Sequence, residues 1–300
     1  MTNRTTKVLM YAGLLSLVVT AFILCYTTCC STSGVVVKET PKDIFRGVKS
    51  LTDLRDGVVF VEVGDKLNWG SGWAFKSGDQ IFVWTCAHVI AVAREKPNDF
   101  SAQHIKVHTK RIKDFKEADK FIVSEAEVIR ASIDFDLALL HVKDKSFPVN
   151  DLIWDISDKP RPLGTKEILV GCPLGKEMWG TISFGQLSLH GRVVFDRCLD
   201  VTTAIGTHGS SGSGVFIDDP DLGYPCVGIL VGGWERLPNA MSYVPARSVK
   251  DFVSLGKIEW AFDYNKVAPD LEFVKKMAPI EVDEPEEDSE EELEKAIENK

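Results

Sequence analysis

Three short segments carry residue types that could act together in catalysis. The segment GSSGSG (209–214) contains Ser211, with glycine two positions before it and one position after it. These glycines permit a sharp turn that aims the N–H groups of Gly209 and Ser211 at one point, where a developing oxyanion could be bound. Taken alone, a Gly/Ser segment is equally typical of a linker.

A histidine and an aspartate stand beside apolar runs. His88 follows the run QIFVWTC in TCAHVI (85–90), and Asp136 precedes LALLHV in DFDLALLHV (134–142). A lone histidine is more often structural than catalytic. We expect Asp136 to be buried beside the imidazole and Asp134 to be solvated, because only Asp136 directly abuts the apolar run. A hydroxyl, an imidazole and a carboxylate are the groups that peptide hydrolysis by serine requires.

Neighbouring side chains offer alternatives to Ser211 as the nucleophile. Only Ser211 has glycine at both of the required offsets, two before and one after, so Ser211 rather than Ser210 or Ser213 is the predicted nucleophile. Cys86 is expected to be a core strand residue, because no base is left to activate its thiol.

The elements that must position these residues are short and rich in β-branched and aromatic side chains, which favours antiparallel β-structure with Gly and Pro turns in a two-barrel body. The segment PARSVKDFVSLG (245–256) spaces Val249, Phe252 and Val253 as on one helix face and predicts a terminal helix. The strand candidates are GVVFVEV (57–63), GSGWAF (70–75), QIFVWTC (80–86), FIVSEAEVIRA (121–131), LALLHV (137–142), EILVG (167–171), GTISFGQLSLHG (180–191), SGVFI (213–217) and CVGILVGG (226–233).

The order His, Asp, Ser is that of the chymotrypsin arrangement. Over about residues 55 to 255 the chain resembles the trypsin-like serine proteases, and it is most similar to the HtrA/Deg branch. The segments GVVFVEV, GSGWAF, QIFVWTCAHVI, DLALLHV, GCPLG (171–175), TISFGQLS (181–188), TAIGTHGSSGSGVF (203–216) and YVPARSVKDFV (243–253) carry the resemblance. The resemblance implies an all-β fold of two antiparallel six-stranded β-barrels with a short C-terminal helix.

The resemblance also implies residue roles. His88, Asp136 and Ser211 match the catalytic triad of a serine endopeptidase, and Gly209 with Ser211 matches the oxyanion-hole donors. The substrate pocket is assigned to Ile205, at the pocket floor, with Gly206 and His208. None of the three is acidic, so cleavage after small or medium apolar residues of protein or peptide substrates is expected. No cofactor and no metal is implied.

Some features depart from the branch. Ser213 stands where a second glycine usually follows, His208 stands where proline is common, and one residue is inserted before the oxyanion glycine. Too few residues follow 256 for a PDZ domain, so HtrA regulation and assembly are not carried over. The alternative function is a catalytically silent trypsin-like scaffold that binds protein partners. A membrane protein in which GSSGSG is a mere linker would not explain the ordered His, Asp and Ser segments.

The run VLMYAGLLSLVVTAFILC (8–25) is almost wholly apolar over 18 residues, just long enough to span a bilayer as a helix. Arg4 and Lys7 precede the run, and the next basic residue after it is Lys38, so the positive-inside rule places the bulk of the chain on the extracytoplasmic side. We expect the segment to be a membrane anchor or a signal peptide. If it is a signal peptide that is cleaved, the protein is secreted. The predicted organisation is an anchor or signal at 1–30, a linker at 31–50, a protease domain at 51–256 and an extension with an acidic tail at 257–300.

The formal net charge of −9 is located entirely in residues 281–300, which hold eleven acidic and two basic residues. The rest of the chain is neutral, so nothing indicates a nucleic-acid partner. The acidic tail has too few apolar residues to order itself and is expected to be solvated. The pattern of Cys86, Cys172, Cys198 and Cys226 does not distinguish disulfides from free thiols, and the sequence does not give the oligomeric state.

Overall fold

The computed structural model describes residues 48–64, 68–91, 104–113, 116–117, 120–157, 159–194, 197–234 and 237–277. Within these ranges the chain forms two closed antiparallel barrels of six strands each. The predicted all-β, two-barrel fold is therefore confirmed. The predicted N-terminal hydrophobic helix and the acidic tail lie outside the described residues.

The first barrel has the cyclic strand order β1-β2-β3-β8-β7-β4, and a small hairpin of β5 and β6 lies between β4 and β7 in the sequence. Its strands are β1 (Val58–Val63), β2 (Asn68–Ser77), β3 (Gln80–Thr85), β4 (Ile105–Thr109), β5 (Ile112–Lys113), β6 (Lys116–Glu117), β7 (Ile122–Ser132) and β8 (Leu137–Val142). Every residue of β1 and of β8 is buried. These are the near-continuous apolar runs of the sequence, because neither face of either strand meets solvent.

The second barrel has the order β10-β11-β14-β13-β12-β9. Its strands are β9 (Lys166–Gly171), β10 (Thr181–Val194), β11 (Arg197–Thr202), β12 (Gly214–Phe216), β13 (Cys226–Trp234) and β14 (Leu237–Pro245). Among the residues that the structure describes, four α-helices accompany the barrels: α1 (Leu51–Asp56), α2 (Ala87–Ile90), α3 (Ala246–Leu255) and α4 (Leu271–Met277). The predicted terminal helix is α3, which buries Val249, Phe252 and Val253 as its spacing indicates.

The barrels pack against each other through apolar and polar contacts. The rings of Trp73 and Phe216 lie with centroids 4.5 Å apart. The indole N–H of Trp179 donates to the carbonyl oxygen of Val58 across 2.9 Å, and the N–H of Ser71 donates to the carbonyl oxygen of Ser211 across 2.7 Å. The last contact joins β2 of the first barrel directly to the predicted nucleophile turn of the second.

The chain continues to pack on the first barrel beyond residue 256, the predicted end of the protease domain. The ring of Trp260 lies 4.5 Å from that of Phe82, and the indole N–H of Trp84 donates to the carbonyl oxygen of Ala261 across 3.2 Å. Further along, the N–H of Ala268 donates to Ser77 Oγ across 2.8 Å. Residues 257–277 therefore form part of the folded body. Ile258, Trp260 and Val274 in this segment are buried. The strands that they cover lie far away in the sequence, which is why local patterns did not indicate this packing.

None of the helices in the described ranges is long and apolar enough to cross a membrane. The candidate segment at 8–25 is not among those ranges.

Candidate active site

The structure brings His88 and Asp136 together on the first barrel. His88 lies in the single turn of α2, which follows β3, and Asp136 lies in the tight turn that precedes β8. The Nδ1 atom of His88 is 2.8 Å from Oδ2 and 2.9 Å from Oδ1 of Asp136. The backbone N–H of His88 also donates to Oδ1, across 3.0 Å. The side chain of Asp136 is 2% exposed and that of His88 is 44% exposed, so a buried acid orients an accessible imidazole.

Asp136 is buried and Asp134 is exposed, as the sequence predicts. Burial alone would raise the pKa of Asp136. The hydrogen bonds from the side chain and backbone of His88, together with the positive charge of Arg197, outweigh burial and hold the pKa of Asp136 below its ordinary value. The residue therefore stays ionised although it is almost fully enclosed.

The nucleophile turn depends on two glycines. Both Gly209 and Gly212 have φ of +89°, a conformation in which side chains other than hydrogen are strained. A Cβ atom at Gly209 would lie 1.9 Å from the ring of Trp69, and one at Gly212 would lie 1.9 Å from the carbonyl oxygen of Ser71. The glycines predicted to shape this loop are thus required by both backbone conformation and space.

The three serines of the turn have different environments. Ser210 is buried, and its Oγ accepts a hydrogen bond from the N–H of Thr207 across 3.0 Å. Ser213 is fully buried, and its Oγ has no hydrogen-bond partner among the described residues. Ser211 is half-buried, and its Oγ donates to the carbonyl oxygen of Val231 across 2.8 Å. Only Ser211 combines a hydroxyl at the surface with a position in the glycine turn.

Val231 lies where the pairing of β13 with β14 shifts register between Leu230 and Gly232. Such irregularities often occur beside functional sites, where they change the direction of backbone groups. Here the carbonyl of Val231 meets the Ser211 hydroxyl. No sequence pattern indicated this contact.

Two contacts fix the backbone around the predicted oxyanion donors. The carbonyl oxygen of His208 accepts a hydrogen bond from the N–H of Leu174 across 2.8 Å. Because the N–H and C=O of a trans peptide point in opposite directions, the N–H of Gly209 points away from Leu174. The carbonyl oxygen of Gly209 accepts from Ser71 Oγ across 2.7 Å. Ser71 and Leu174 thus hold successive peptide groups of the turn, and sequence reasoning missed both residues.

Two of the residues assigned to the substrate pocket, Ile205 and His208, have exposed side chains. The side chain of Ile205 is 64% exposed, and its N–H donates to Ser183 Oγ across 2.7 Å. His208 is exposed and lies edge-on to Trp69, with ring centroids 4.5 Å apart. The structure does not place Ile205 at the bottom of a cavity, and the assignment of the pocket to this position stays a prediction.

Cys86 lies beside the His88–Asp136 pair, and one donor atom from each of the three residues lies within 4.8 Å of the others. Burial, reinforced by the charge of Asp136, raises the pKa of the Cys86 thiol well above its ordinary value. A metal ligand or a nucleophile would have to be the thiolate, so this chemistry opposes both roles for Cys86. Cys86, Cys172, Cys198 and Cys226 are all free thiols, and only Cys198 is exposed.

Comparison with known proteins agrees with this geometry. The model of the trypsin-like peptidase domain matches residues 70–223, just over half of the chain. The chain belongs to the trypsin-like peptidase family. No curated protein matches it.

Solved structures share the fold of this trypsin-like peptidase. The crystal structure of Deg5 has a TM-score of 0.52 and 21% sequence identity, over 67% of this chain and 89% of that chain. The crystal structure of the serine endoprotease from Yersinia pestis has a TM-score of 0.51 and 21% identity, over 72% of this chain and 69% of that chain. At this level of identity, the two structures show that the chain shares their fold.

One departure of this trypsin-like peptidase from its relatives has a local explanation. Ser213 stands where the branch that the sequence resembles usually has a glycine, and its side chain faces Gly171 at the end of the neighbouring strand β9. A Cβ atom at Gly171 would lie 1.8 Å from Ser213 Oγ. The absence of a side chain at Gly171 therefore makes the room that the larger residue needs. The sequence offered no signal for this pair because the two positions are far apart in the chain.

Proposed function

We propose that this protein is a serine endopeptidase in which Ser211 is the nucleophile, His88 the general base and Asp136 the orienting acid. The observation that carries the proposal is the pairing of His88 Nδ1 with the buried Asp136 carboxylate, at 2.8 and 2.9 Å. An Nδ1–H that donates to a carboxylate leaves the lone pair of Nε2 available as a base. Membership of the trypsin-like peptidase family supports this assignment.

In the proposed reaction His88 Nε2 takes the proton of the Ser211 hydroxyl while Oγ bonds to the carbonyl carbon of the substrate. The carbonyl oxygen becomes an oxyanion that the N–H groups of Gly209 and Ser211 stabilise. The protonated His88 then gives its proton to the leaving amine, and an acyl-enzyme forms. Water, deprotonated by His88, releases the acid product and restores Ser211.

The hydroxyl of Ser211 donates to the carbonyl oxygen of Val231 in this structure. To meet the base, the hydroxyl has to leave Val231 by rotating about the Cα–Cβ bond, a change between staggered rotamers. Catalytic hydrogen bonds are often absent before substrate binds and form in the Michaelis complex. The hydrogen bond to Val231 is also what favours the second candidate, a silent scaffold that binds protein partners.

Labelling with a serine-directed fluorophosphonate separates the two candidates. We expect wild-type protein and the Ser210→Ala variant to be labelled and to cleave an unfolded protein, and Ser211→Ala to do neither. Intact mass spectrometry after labelling, with peptide mapping, would locate the modified serine. A folded wild type that is neither labelled nor active would contradict the peptidase proposal and favour the scaffold.

For localisation, we propose that the protease barrels lie on the extracytoplasmic side, with the segment at 8–25 as anchor or cleaved signal. The apolar run and the basic residues on its N-terminal side support this proposal. A reporter such as alkaline phosphatase, active only after export and fused after residue 50, tests it. An inactive reporter there would contradict it.

A further inference from the structure

A third side chain reaches the buried acid from the other barrel. Arg197 is the first residue of β11, and its Nη1 atom lies 3.4 Å from Oδ2 of Asp136. Its Nε–H donates to the carbonyl oxygen of Asp134 across 3.1 Å. One guanidinium therefore touches both the carboxylate of the predicted acid and the backbone of the turn that carries it.

The position of Arg197 follows from how β10 and β11 pair. Arg197, Cys198 and Leu199 pair with β10, whereas the pairing of β11 with β14 begins only at Asp200. The start of β11 and the end of β10 thus form a two-stranded ribbon that extends from the second barrel. This ribbon, residues 192–194 and 197–199, carries Arg197 to the first barrel.

The carboxylate of Asp136 needs more than one partner. It is 2% exposed, and the groups that face it are the ring and backbone N–H of His88, the Cys86 thiol and Arg197. An ionised carboxylate that loses water must be compensated by charge or hydrogen bonds. Arg197 supplies the only full positive charge among these groups while His88 is neutral. The side chain of Arg197 is itself 21% exposed, so the charge is only partly screened by solvent.

The turn that carries Asp136 also needs support. Asp136 has φ of +54°, a left-handed conformation that is uncommon for residues other than glycine and most often adopted by Asn and Asp. Its N–H donates to the carbonyl oxygen of Ile133 across 3.0 Å. The hydrogen bond from Arg197 to Asp134 fixes the next carbonyl of the same turn, and so helps to hold the carboxylate in its orientation.

We propose that Arg197 is a positioning residue for the reaction: it holds Asp136 in place from the opposite barrel and shares the charge that Asp136 presents to His88. This proposal rests on the proposed function. The effect of Arg197 on the protonation of His88 has a definite direction. Removing the cation leaves Asp136 more negative toward His88 and favours the imidazolium form. The acid limb of the rate profile, where the base becomes protonated, should then move to higher pH.

The test compares Arg197→Gln and Arg197→Lys with wild type. Glutamine keeps a hydrogen-bond donor and removes the charge, whereas lysine keeps the charge but lacks the planar guanidinium group with its several N–H donors. Arg192→Gln is the matched control, because Arg192 is exposed on the same ribbon and lies opposite Leu199. The measurements are kcat and KM against pH with a peptide substrate, and NMR titration of the ring of His88 in protein with ¹³C-labelled histidine, assigned with His88→Gln.

We expect Arg197→Gln to lower kcat by about tenfold, as for the loss of one charged hydrogen bond, with little change in KM. Both the acid limb and the His88 titration should move to higher pH than in wild type. Arg197→Lys should keep the wild-type midpoints and lose part of kcat. The proposal would be overturned if Arg197→Gln kept the wild-type kcat and the wild-type midpoints of the pH profile and of the His88 titration. It would also be overturned if Arg192→Gln changed these quantities equally.

The two proposals fail in different ways. A wild-type protein that neither cleaves nor labels contradicts the peptidase function, yet the NMR titration still shows whether Arg197 controls the charge around His88. A merely structural role for Arg197 would lower the melting temperature and kcat together and leave both midpoints unchanged.

Discussion

The N–H of Leu174 donates a hydrogen bond to the carbonyl oxygen of His208 across 2.8 Å. Two residues later, Lys176 Nζ lies 2.5 Å from Oε2 of the buried Glu62 on the first barrel. The segment that orients the His208–Gly209 peptide is thus anchored by an ion pair to β1. The direction of the Gly209 N–H consequently depends on contacts between the two barrels.

Gly209→Ala tests this peptide directly. The new methyl group would meet the ring of Trp69, and alanine is strained at φ of +89°. We expect the turn to shift and kcat to fall by about 10²–10³, as for the loss of one oxyanion donor. Steady-state kinetics beside circular dichroism checks this result. A folded variant with wild-type kcat would contradict the prediction that the turn must keep glycine at this position.

The proposed nucleophile and base should behave as one unit. Ser211→Ala, His88→Ala and the double variant are expected to lose activity to a similar extent, because each alone disables the same step. Additive losses in the double variant, measured as kcat/KM, would contradict this prediction. Ser210→Ala and Ser213→Ala serve as the controls and should keep most of the activity.

The control serines should differ in stability. Ser210→Ala removes a bond to the N–H of Thr207 and should lower the free energy of unfolding by about 1 kcal/mol. Ser213→Ala removes a buried hydroxyl that lacks a partner among the described residues, so its stability should be equal or higher. Urea unfolding of both variants measures the difference. A larger loss for Ser213→Ala than for Ser210→Ala would contradict this assignment.

Glu167 should make stability fall as pH rises. Burial raises the pKa of Glu167 above 4.5, and the hydrogen bond from Tyr243 only partly offsets this. Below about pH 4.5 both the folded and the unfolded chain hold the proton. Above that value the unfolded chain releases it first, so the folded state loses free energy until the folded pKa is passed. Glu167→Gln should remove this component of the pH dependence.

Unfolding free energies of wild type and Glu167→Gln from pH 4 to 8 provide the measurement. The wild-type curve should drop relative to that of the variant as pH rises across the range. Glu177→Gln, a substitution at an exposed glutamate, is the matched control. Curves for wild type and Glu167→Gln that run parallel from pH 4 to 8 would contradict the prediction.

Substrate preference should follow the absence of a carboxylate from the predicted pocket residues Ile205, Gly206 and His208. A substrate Arg or Lys would find no acidic partner among them, so we expect cleavage after small or medium apolar residues. A peptide library read by mass spectrometry gives the profile, and Ile205→Asp should shift it toward Arg and Lys. A wild-type profile dominated by Arg or Lys would show that the pocket lies elsewhere.

Removal of residues 1–33 should give a folded protein that fractionates as soluble and reacts with the serine probe as the longer chain does. Both barrels begin after this segment, since β1 starts at Val58. Ultracentrifugation of lysates with and without the deletion provides the comparison. Persistence of the shortened chain in the membrane pellet would reveal a second membrane-binding surface.

The sequence predicted the barrels and the burial of Asp136 beside His88, because each of these two residues lies in a short motif beside an apolar run. The catalytic roles of His88, Asp136 and Ser211 stay predictions. The sequence did not predict Arg197 or Ser71 near the site. Their contacts join positions 61 and 138 residues apart and depend on strand register and on the ribbon of β10 and β11. The carbonyl of Val231 depends likewise on a local register shift. Residue types and spacing do not encode such backbone details.

The contact between Trp84 and Ala261 spans 177 residues of sequence. During synthesis, β3 leaves the ribosome long before residues 257–277 exist to cover it. Until then the aromatic rings of Phe82 and Trp84 lack part of their native packing, and such exposed apolar surface favours aggregation. The first barrel is synthesised before the second, yet it should be the last to acquire its full packing. We therefore expect chaperones that bind the nascent chain to bind mainly to the strands of the first barrel.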